Sequence, residues 1–579
     1  MTQEKTLTGY PSIDKPWLKY YSEEAINAPL PECTIYEYLW EQNKEFLEEI
    51  AIVYLGRKIS YRELFANIDR VADSFWSMGV REGDIVSVCS VSTPEVIYSI
   101  YALSKIGATV NILEPRNNAE RIEYYLNLTE SRYLVMLDLC FPKIDAIVRN
   151  TKVNDVIVVS PFDSASALVK TIGGLKRKKT KIENKELYRD WKSFATGREH
   201  HVKGTYCKER PAVIVYTGGT TGVPKGVCLS DCALNTVVFE MKQTGENISE
   251  RRKRFLDIMP PFIAYGITCG IHMPLCLGMR NIVVPNFTPE KLDKLVWKNK
   301  PNLMMGVPSH YGLLCKSSLL KKKKLPFLEV CGAGGDAFVP ALEETVNQFL
   351  LEHGAPYKVA KGYGMTEMCS AVTACFCEKN KLKSTGIPLC KNVVGVFTPG
   401  TDEELPYNTQ GEICFLTPTR MMGYLKNEEE TKKILIQHSD GKVWVHTKDI
   451  GYVDEDGFVY IINRMKRMII RSDGHNVFPS AIEEVINTYD AVENCAVVGV
   501  AHGERKNGQL AKAFITLKPE YKGKEEKVLK ELKQLLLQKL PERDTVEVYQ
   551  IIEELPLTPI GKVDYRALER WGEEQVPIT

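Results

Sequence analysis

The residues best suited to chemistry lie in one stretch, Tyr216-Thr-Gly-Gly-Thr-Thr-Gly-Val-Pro-Lys-Gly226. Four glycines and three threonines follow a short apolar run at 212–216, and Lys225 stands near the far end. Such a loop offers unobstructed backbone N–H groups, hydroxyls and an ammonium, donors that suit a polyphosphate. It is not a Walker A loop, in which lysine directly follows the last glycine and a helix continues the chain. Here Pro224 precedes Lys225, and Val227-Cys-Leu229 reads as a second strand. Composition alone fits a tight hairpin equally well, so the meaning of the loop depends on its surroundings.

Those surroundings alternate helix and strand from 34 to about 139. Leu64, Ile68, Val71 and Phe75 recur at helical spacing behind Ser60 and Glu63, a helix-start signal. Residues 85–89 read as a buried strand, 94–106 as a helix stopped by Gly107, and 109–113 as the next strand. That order predicts βαβ packing on a largely parallel sheet. Regularity fails between 160 and 199, where the basic run 175–181 follows Leu168, Val169 and Ile172. It reads as a solvated excursion, since one short basic segment holds a membrane weakly.

A helix is expected from Asp231. Segment 258–279 lacks Asp, Glu, Lys and Arg, but Pro260, Pro261, Pro274 and three glycines would break a spanning helix. It is read as buried loop and strand. Leu328 to Ala337 carries the Gly-x-Gly-x-x-Ala spacing of a dinucleotide fingerprint, without the acidic residue expected about 20 positions later. From 388 to 462 short alternating runs between Gly/Asp/Asn turns predict antiparallel structure. Beyond Arg464, helices at 479–487 and 524–540 with strands at 495–500 and 513–517 predict a small α+β unit.

At 579 residues the chain has room for three or four units of about 150 residues each. A net charge of +1 with 26% charged residues gives no global reason to expect nucleic acid or a membrane surface. The sixteen cysteines lack zinc-finger spacing and read as reduced, mostly buried thiols. The N-terminus has no apolar run like that of a signal peptide, so a cytoplasmic location without a transmembrane segment is expected.

Taken in order, 216–226, Gly362-Tyr-Gly-Met-Thr-Glu367, Trp444-Val-His-Thr-Lys-Asp449, Asn463-Arg464 and Leu557-Thr-Pro-Ile-Gly-Lys562 resemble the adenylate-forming (AMP-binding) superfamily, most of all its acyl-CoA synthetases. The resemblance spans about 34 to 568. It implies an α/β fold: a large N-terminal domain of α/β sheets plus a β-rich subdomain (1–463), and a small mobile α+β C-terminal domain (464–579). It also implies two steps. A carboxylate attacks the α-phosphate of ATP, giving an acyl-adenylate and pyrophosphate, and a thiol such as that of coenzyme A then takes the acyl group.

By the same resemblance, Thr217, Gly218, Gly219, Thr220, Thr221, Gly222 and Lys225 hold the β- and γ-phosphates. Thr366 contacts the α-phosphate and Glu367 holds Mg²⁺. Tyr363, Gly335 and Asp336 line the adenine pocket, while Asp449 accepts both ribose hydroxyls and Arg464 reaches the ribose or phosphate. Lys562 bridges the substrate carboxylate and α-phosphate as the main catalytic residue. Lys466 falls at the hinge, Gly474 on the pantetheine path, and Phe262, Ile263, Tyr265, Gly306 and Val307 in the acyl pocket.

Four positions depart from the family pattern. Gly218 stands where serine is common, Lys448 replaces the glycine before the ribose aspartate, and Asn463 replaces the glycine before Arg464. The fourth is Ile263, where amino-acid-activating members carry the aspartate that pairs an α-ammonium; an unpaired buried ammonium would cost roughly several kcal/mol. The C-terminal motif has a peptide-synthetase flavour. The balance favours ligation of a fatty or other apolar acid to CoA. A stand-alone enzyme loading a separate carrier protein and a non-catalytic nucleotide sensor are the alternatives.

Overall fold

The computed structural model describes residues 7–176, 186–197, 202–217, 224–376, 379–467, 469–471, 476–501, 509–557 and 563–574, and all counts below refer to these. Near the N-terminus local signals translate directly into structure. Ser60 caps the helix Tyr61–Ser77 by accepting the Glu63 N–H, and Leu64, Ile68, Val71 and Phe75 form its buried face. The Glu63 carboxylate pairs with Arg57 instead of completing a reciprocal cap. Strand Ile85–Cys89 leads to helix Pro94–Ile106, which Gly107 ends at φ +83, and strand Thr109–Leu113 returns parallel to the first.

These strands belong to an eight-stranded sheet. Its order is Gly423–Tyr424, Lys225–Ser230, Pro211–Thr217, Thr109–Leu113, Ile85–Cys89, Tyr133–Leu137, Asp155–Val159, Tyr188–Asp190. The expected second strand behind the glycine loop is present, as Pro211–Thr217 and Lys225–Ser230 pair antiparallel. The excursion after 160 is more regular than its composition suggests. It contains helix Ala167–Lys176 and the edge strand Tyr188–Asp190, added parallel to Asp155–Val159. Most of the basic run lies outside the described residues.

A nine-stranded sheet carries the second half of the N-terminal domain, with parallel strands Arg280–Val283, Arg254–Asp257, Leu303–Gly306, Val330–Ala333 and Ala360–Met365 in a row. One buried apolar cluster runs through both large sheets. Segment 258–279 corrects the sequence reading: it is buried but holds no strand, forming a π-helical turn Gly266–His272 continued by Met273–Cys276. Pro274 is tolerated because it opens the second piece, where a missing N–H costs little. Gly266 permits the turn, since a Cβ there would lie 1.8 Å from the Pro260 carbonyl oxygen.

Strand Ala360–Met365 turns back on itself through Thr366–Met368 into Ser370–Ala374. Cys369 at φ +59 and Ser370 at φ +112 make this reversal with side-chain-bearing residues in a sparsely populated region. The reversal brings the Ser370 carbonyl within 1.4 Å of where a Gly364 Cβ would sit. The expected antiparallel region is a five-stranded sheet built on Val393–Phe397, Gly411–Leu416 and Val443–Val453. After it, Val492–Ala501, Gln509–Leu517 and Val548–Ile551 form a three-stranded sheet. Helices Pro479–Asn487 and Glu525–Lys539 pack on it around a core of its own, with Ile482, Val497, Ile515 and Leu532.

The described cysteines are all free, and no described helix is long and apolar enough to cross a membrane. Gly364→Ala should destabilise the protein by about 3 kcal/mol or more, because the new Cβ meets backbone that cannot move aside. Denaturant unfolding checks this, and an unchanged midpoint would mean that the reversal relaxes freely.

Candidate active site

Thr217 closes its strand and pairs across the hairpin with Lys225. The tip, carrying Gly218, Gly219, Thr220, Thr221 and Gly222, lies outside the described residues. Lys225 forms an ion pair with Glu430, whose carboxyl this contact and Lys433 hold down at about 2. The same ammonium lies 4.8 Å above the ring of Tyr424. Tyr424 belongs to the two-residue strand that pairs with Lys225–Ser230, and its hydroxyl donates to Glu367 Oε1 at 2.7 Å. Glu367 is only 8% exposed, at the reversal that follows Ala360–Met365, and its carbonyl accepts the Met421 N–H at 2.8 Å. Thr366 sits beside it, its carbonyl accepting the Cys369 N–H at 3.0 Å.

The strand that delivers Thr366 and Glu367 also delivers Tyr363, whose hydroxyl donates to Asp449. Tyr363 stacks on Phe415 with ring centroids 6.1 Å apart. Asp449 is 1% exposed and faces Arg464 on the neighbouring strand, with Nε 3.1 Å from Oδ1. Burial pushes the Asp449 carboxyl up, while the Arg464 charge and the Tyr363 hydroxyl pull it down. The Glu367 charge also acts on Arg464. Two sets of contacts, Glu430–Lys225–Tyr424–Glu367 and Tyr363–Asp449–Arg464, are thus joined by the strand Ala360–Met365 and the turn after it.

On the other side of this strand, Tyr265 donates to the Gly306 carbonyl at 3.3 Å. Phe262 and Val307 are buried and Ile263 is half-buried against the core. Gly335, at φ +80, lies close to both sets: a Cβ there would be 3.9 Å from Val307 and 4.0 Å from Tyr265. Adenine-side and acyl-side candidates are thus neighbours. Asp336 is exposed and caps its own loop through the Ala337 N–H.

Lys466 falls within the single turn Met465–Arg467, and its side chain lies outside the description. Gly474 and Lys562 also fall outside the described residues, although Leu557 and Val563, the described residues nearest to Lys562 on either side, form an antiparallel bridge. Sequence reasoning missed Tyr424 and Glu430. Their partners are 57 and 205 positions away, with no local spacing to mark them.

A family model described as AMP-binding enzyme matches residues 39–425, and one described as AMP-binding enzyme C-terminal domain matches 481–562. The long-chain-fatty-acid–CoA ligase of Bacillus subtilis (strain 168) is 30% identical over 562 residues, 96% of this chain and 97% of its own. The probable 4-coumarate–CoA ligase 1 of Dictyostelium discoideum is 25% identical over 505 residues, covering 86% and 88%. In fold, ATP-bound MatB from Rhodopseudomonas palustris superposes with TM-score 0.78 at 23% identity, over 93% of this chain and 98% of its own.

Because Glu430 occupies Lys225, Glu430→Gln should tighten ATP binding about three- to five-fold at low salt, the scale of a partly exposed ion pair. Titration calorimetry with ATP measures this, and unchanged affinity would remove Lys225 from the anion site.

Proposed function

The chain belongs to the AMP-binding enzyme family, and on that premise we propose that it ligates a fatty or other apolar carboxylic acid to coenzyme A through an acyl-adenylate. The observation that carries this reading is that one strand and the turn after it deliver both Tyr363, which bonds Asp449, and Glu367, which Tyr424 links to Lys225. On this reading the Lys225 ammonium serves the phosphates, the Glu367 carboxylate a cation and the Asp449 carboxylate the ribose hydroxyls.

Each group has a physical task. Thr217 and Lys225 would bind the β- and γ-phosphates together with the 218–222 turn, and Thr366 would donate to the α-phosphate. Glu367 has one oxygen engaged by the Tyr424 hydroxyl, which fixes the carboxylate for a hard divalent cation that takes oxygen ligands. Bound Mg²⁺ would supply charge neutralisation on the phosphates. Asp449 would accept both ribose hydroxyls, with Arg464 and Tyr363 holding its carboxylate in place. Lys562 would neutralise the two anions that must meet when the substrate carboxylate approaches the α-phosphate, and preorganised charge of this kind is worth about 10²- to 10³-fold in rate.

After adenylation, turning the C-terminal domain at Lys466 would withdraw Lys562 and bring Gly474 to the thiol path. The acid is read as apolar because Ile263 and Phe262 lie against the hydrophobic core, where an α-ammonium would have no partner. Similarity to a long-chain-fatty-acid–CoA ligase over nearly the whole chain supports the same reading.

Hydroxamate-trapped adenylation with Mg-ATP across fatty, aryl and amino acids, followed by addition of CoA, tests the proposal. Expected are adenylation of an apolar acid, a CoA thioester on adding CoA, and a loss of about 10²-fold or more in Lys562→Ala. Preference for an amino acid would overturn the reading of Ile263. An adenylate that free CoA does not discharge would assign the chain to carrier-protein loading.

A further inference from the structure

The β-rich sheet contains a buried polar chain that touches none of the proposed substrates. Where Gly411–Leu416 pairs with Val443–Val453, the register jumps: Glu412 faces Ile450, but Cys414 faces His446. Thr447, Lys448 and Asp449 consequently bulge opposite Ile413, a device that re-aims side chains next to active sites. Lys448 stands at φ +61, a backbone conformation that favours glycine.

The bulge is tied down from beneath. Lys448 donates its N–H to Glu412 Oε1 at 3.0 Å, and its ammonium lies 3.5 Å from the same oxygen. Glu412, fully buried, accepts from His446 Nδ1 at 3.0 Å through its other oxygen. His446 Nε2 lies 2.8 Å from His438 Nε2, and the His438 ring stacks on Trp444 with centroids 5.4 Å apart. The Thr447 hydroxyl donates to the Ile413 carbonyl at 2.6 Å and accepts the Asp449 N–H at 3.1 Å.

The donor atoms of Glu412, Cys414 and His446 lie within 4.8 Å of one another, as a metal site would require. Those of Glu412 and His446 are already spent on each other, and burial keeps the Cys414 thiol protonated. The Cys414 thiol makes a long contact to the Glu412 carbonyl, at 3.9 Å, and also bonds the Thr447 backbone. The arrangement therefore serves the bulge.

We propose that the His438–His446–Glu412 chain positions Asp449, holding Lys448 in a glycine-like conformation so that the Asp449 carboxylate meets both ribose hydroxyls of the nucleotide. The inference rests on the ribose role proposed for Asp449. A lysine can occupy this position because Glu412 satisfies both its N–H and its ammonium.

The test is ribose discrimination, the ratio of KM for 2′- or 3′-deoxy-ATP to KM for ATP, read by pyrophosphate exchange with the full-length protein. Glu412→Leu should lower this ratio to within about two-fold of Asp449→Ala, whereas Glu412→Gln, which keeps an acceptor for the Lys448 N–H, should retain most of it. In a Lys448→Gly background, Glu412→Leu should recover about three-fold or more of the lost ratio, since glycine takes this φ unaided. Such rescue would not follow from a general loss of packing.

If Glu412→Leu does not fold, Glu412→Gln combined with His446→Leu replaces it, because the amide then loses the neighbour that orients its carbonyl. Should Asp449→Ala leave the ratio intact, the ribose reading fails. Should only Asp449→Ala abolish it, with Glu412→Leu unaffected, the ribose reading stands and this inference falls. One equivalent of zinc in the purified protein, lost in Cys414→Ser, would make the cluster a metal site and overturn it as well.

Discussion

Burying a carboxylate costs several kcal/mol unless donors or positive charge surround it, and four of the buried carboxylates among the described residues show how this chain meets that cost. Glu343 is met by Lys361, Glu367 by Tyr424, Glu412 by Lys448 and His446, and Asp449 by Tyr363 and Arg464. Two of these contacts, Tyr424 with Glu367 and Tyr363 with Asp449, join residues 57 and 86 positions apart, in or next to strands of different sheets, so satisfying these carboxylates also ties the sheets together. Strand Ala360–Met365 is central to this, since Lys361, Tyr363 and the following Glu367 take part in three of the four pairings. Its reversal is correspondingly tight, with two strained residues and a glycine that has no room for a Cβ.

The same economy governs the groups to which the proposed function assigns a nucleotide. The Glu367 and Asp449 carboxylates each accept from a neutral tyrosine hydroxyl, of Tyr424 and of Tyr363, which leaves oxygen lone pairs for a further donor or a cation. Full salt bridges would have neutralised them. Arg464 is the exception, but its side chain is largely exposed, which weakens the pair and leaves the guanidinium available to a ligand.

Much of the fold was legible because its signals are local. Ser60, Gly107 and the alternation between them marked element boundaries that the structure reproduces, and the strand–loop–strand form at 216–226 followed from Pro224 and Val227. Segment 258–279 was misread because three prolines and three glycines argue against a continuous helix, and a π-helical turn meeting a proline start has no simple periodic signature. Motif residues such as Tyr363, Glu367 and Asp449 were visible through family resemblance. Tyr424, Glu430, Glu412 and His438 were not read as parts of the site, because a hydrogen bond between distant strands leaves no trace in spacing. The Lys448 departure illustrates the limit: sequence marks it as an exception, but only its φ and its contact with Glu412 explain it.

The pairing of Lys225 with Glu430 also bears on how a turnover ends. On the proposed phosphate role of Lys225, the lysine need not wait for solvent or another anion when pyrophosphate departs, since a tethered carboxylate on the adjacent helix Glu428–Lys432 stands ready to take its place. Re-forming that bond competes directly with rebinding of the product. In that role the resident anion would act as an ejector, making the departure of pyrophosphate less sensitive to how much of it has accumulated outside.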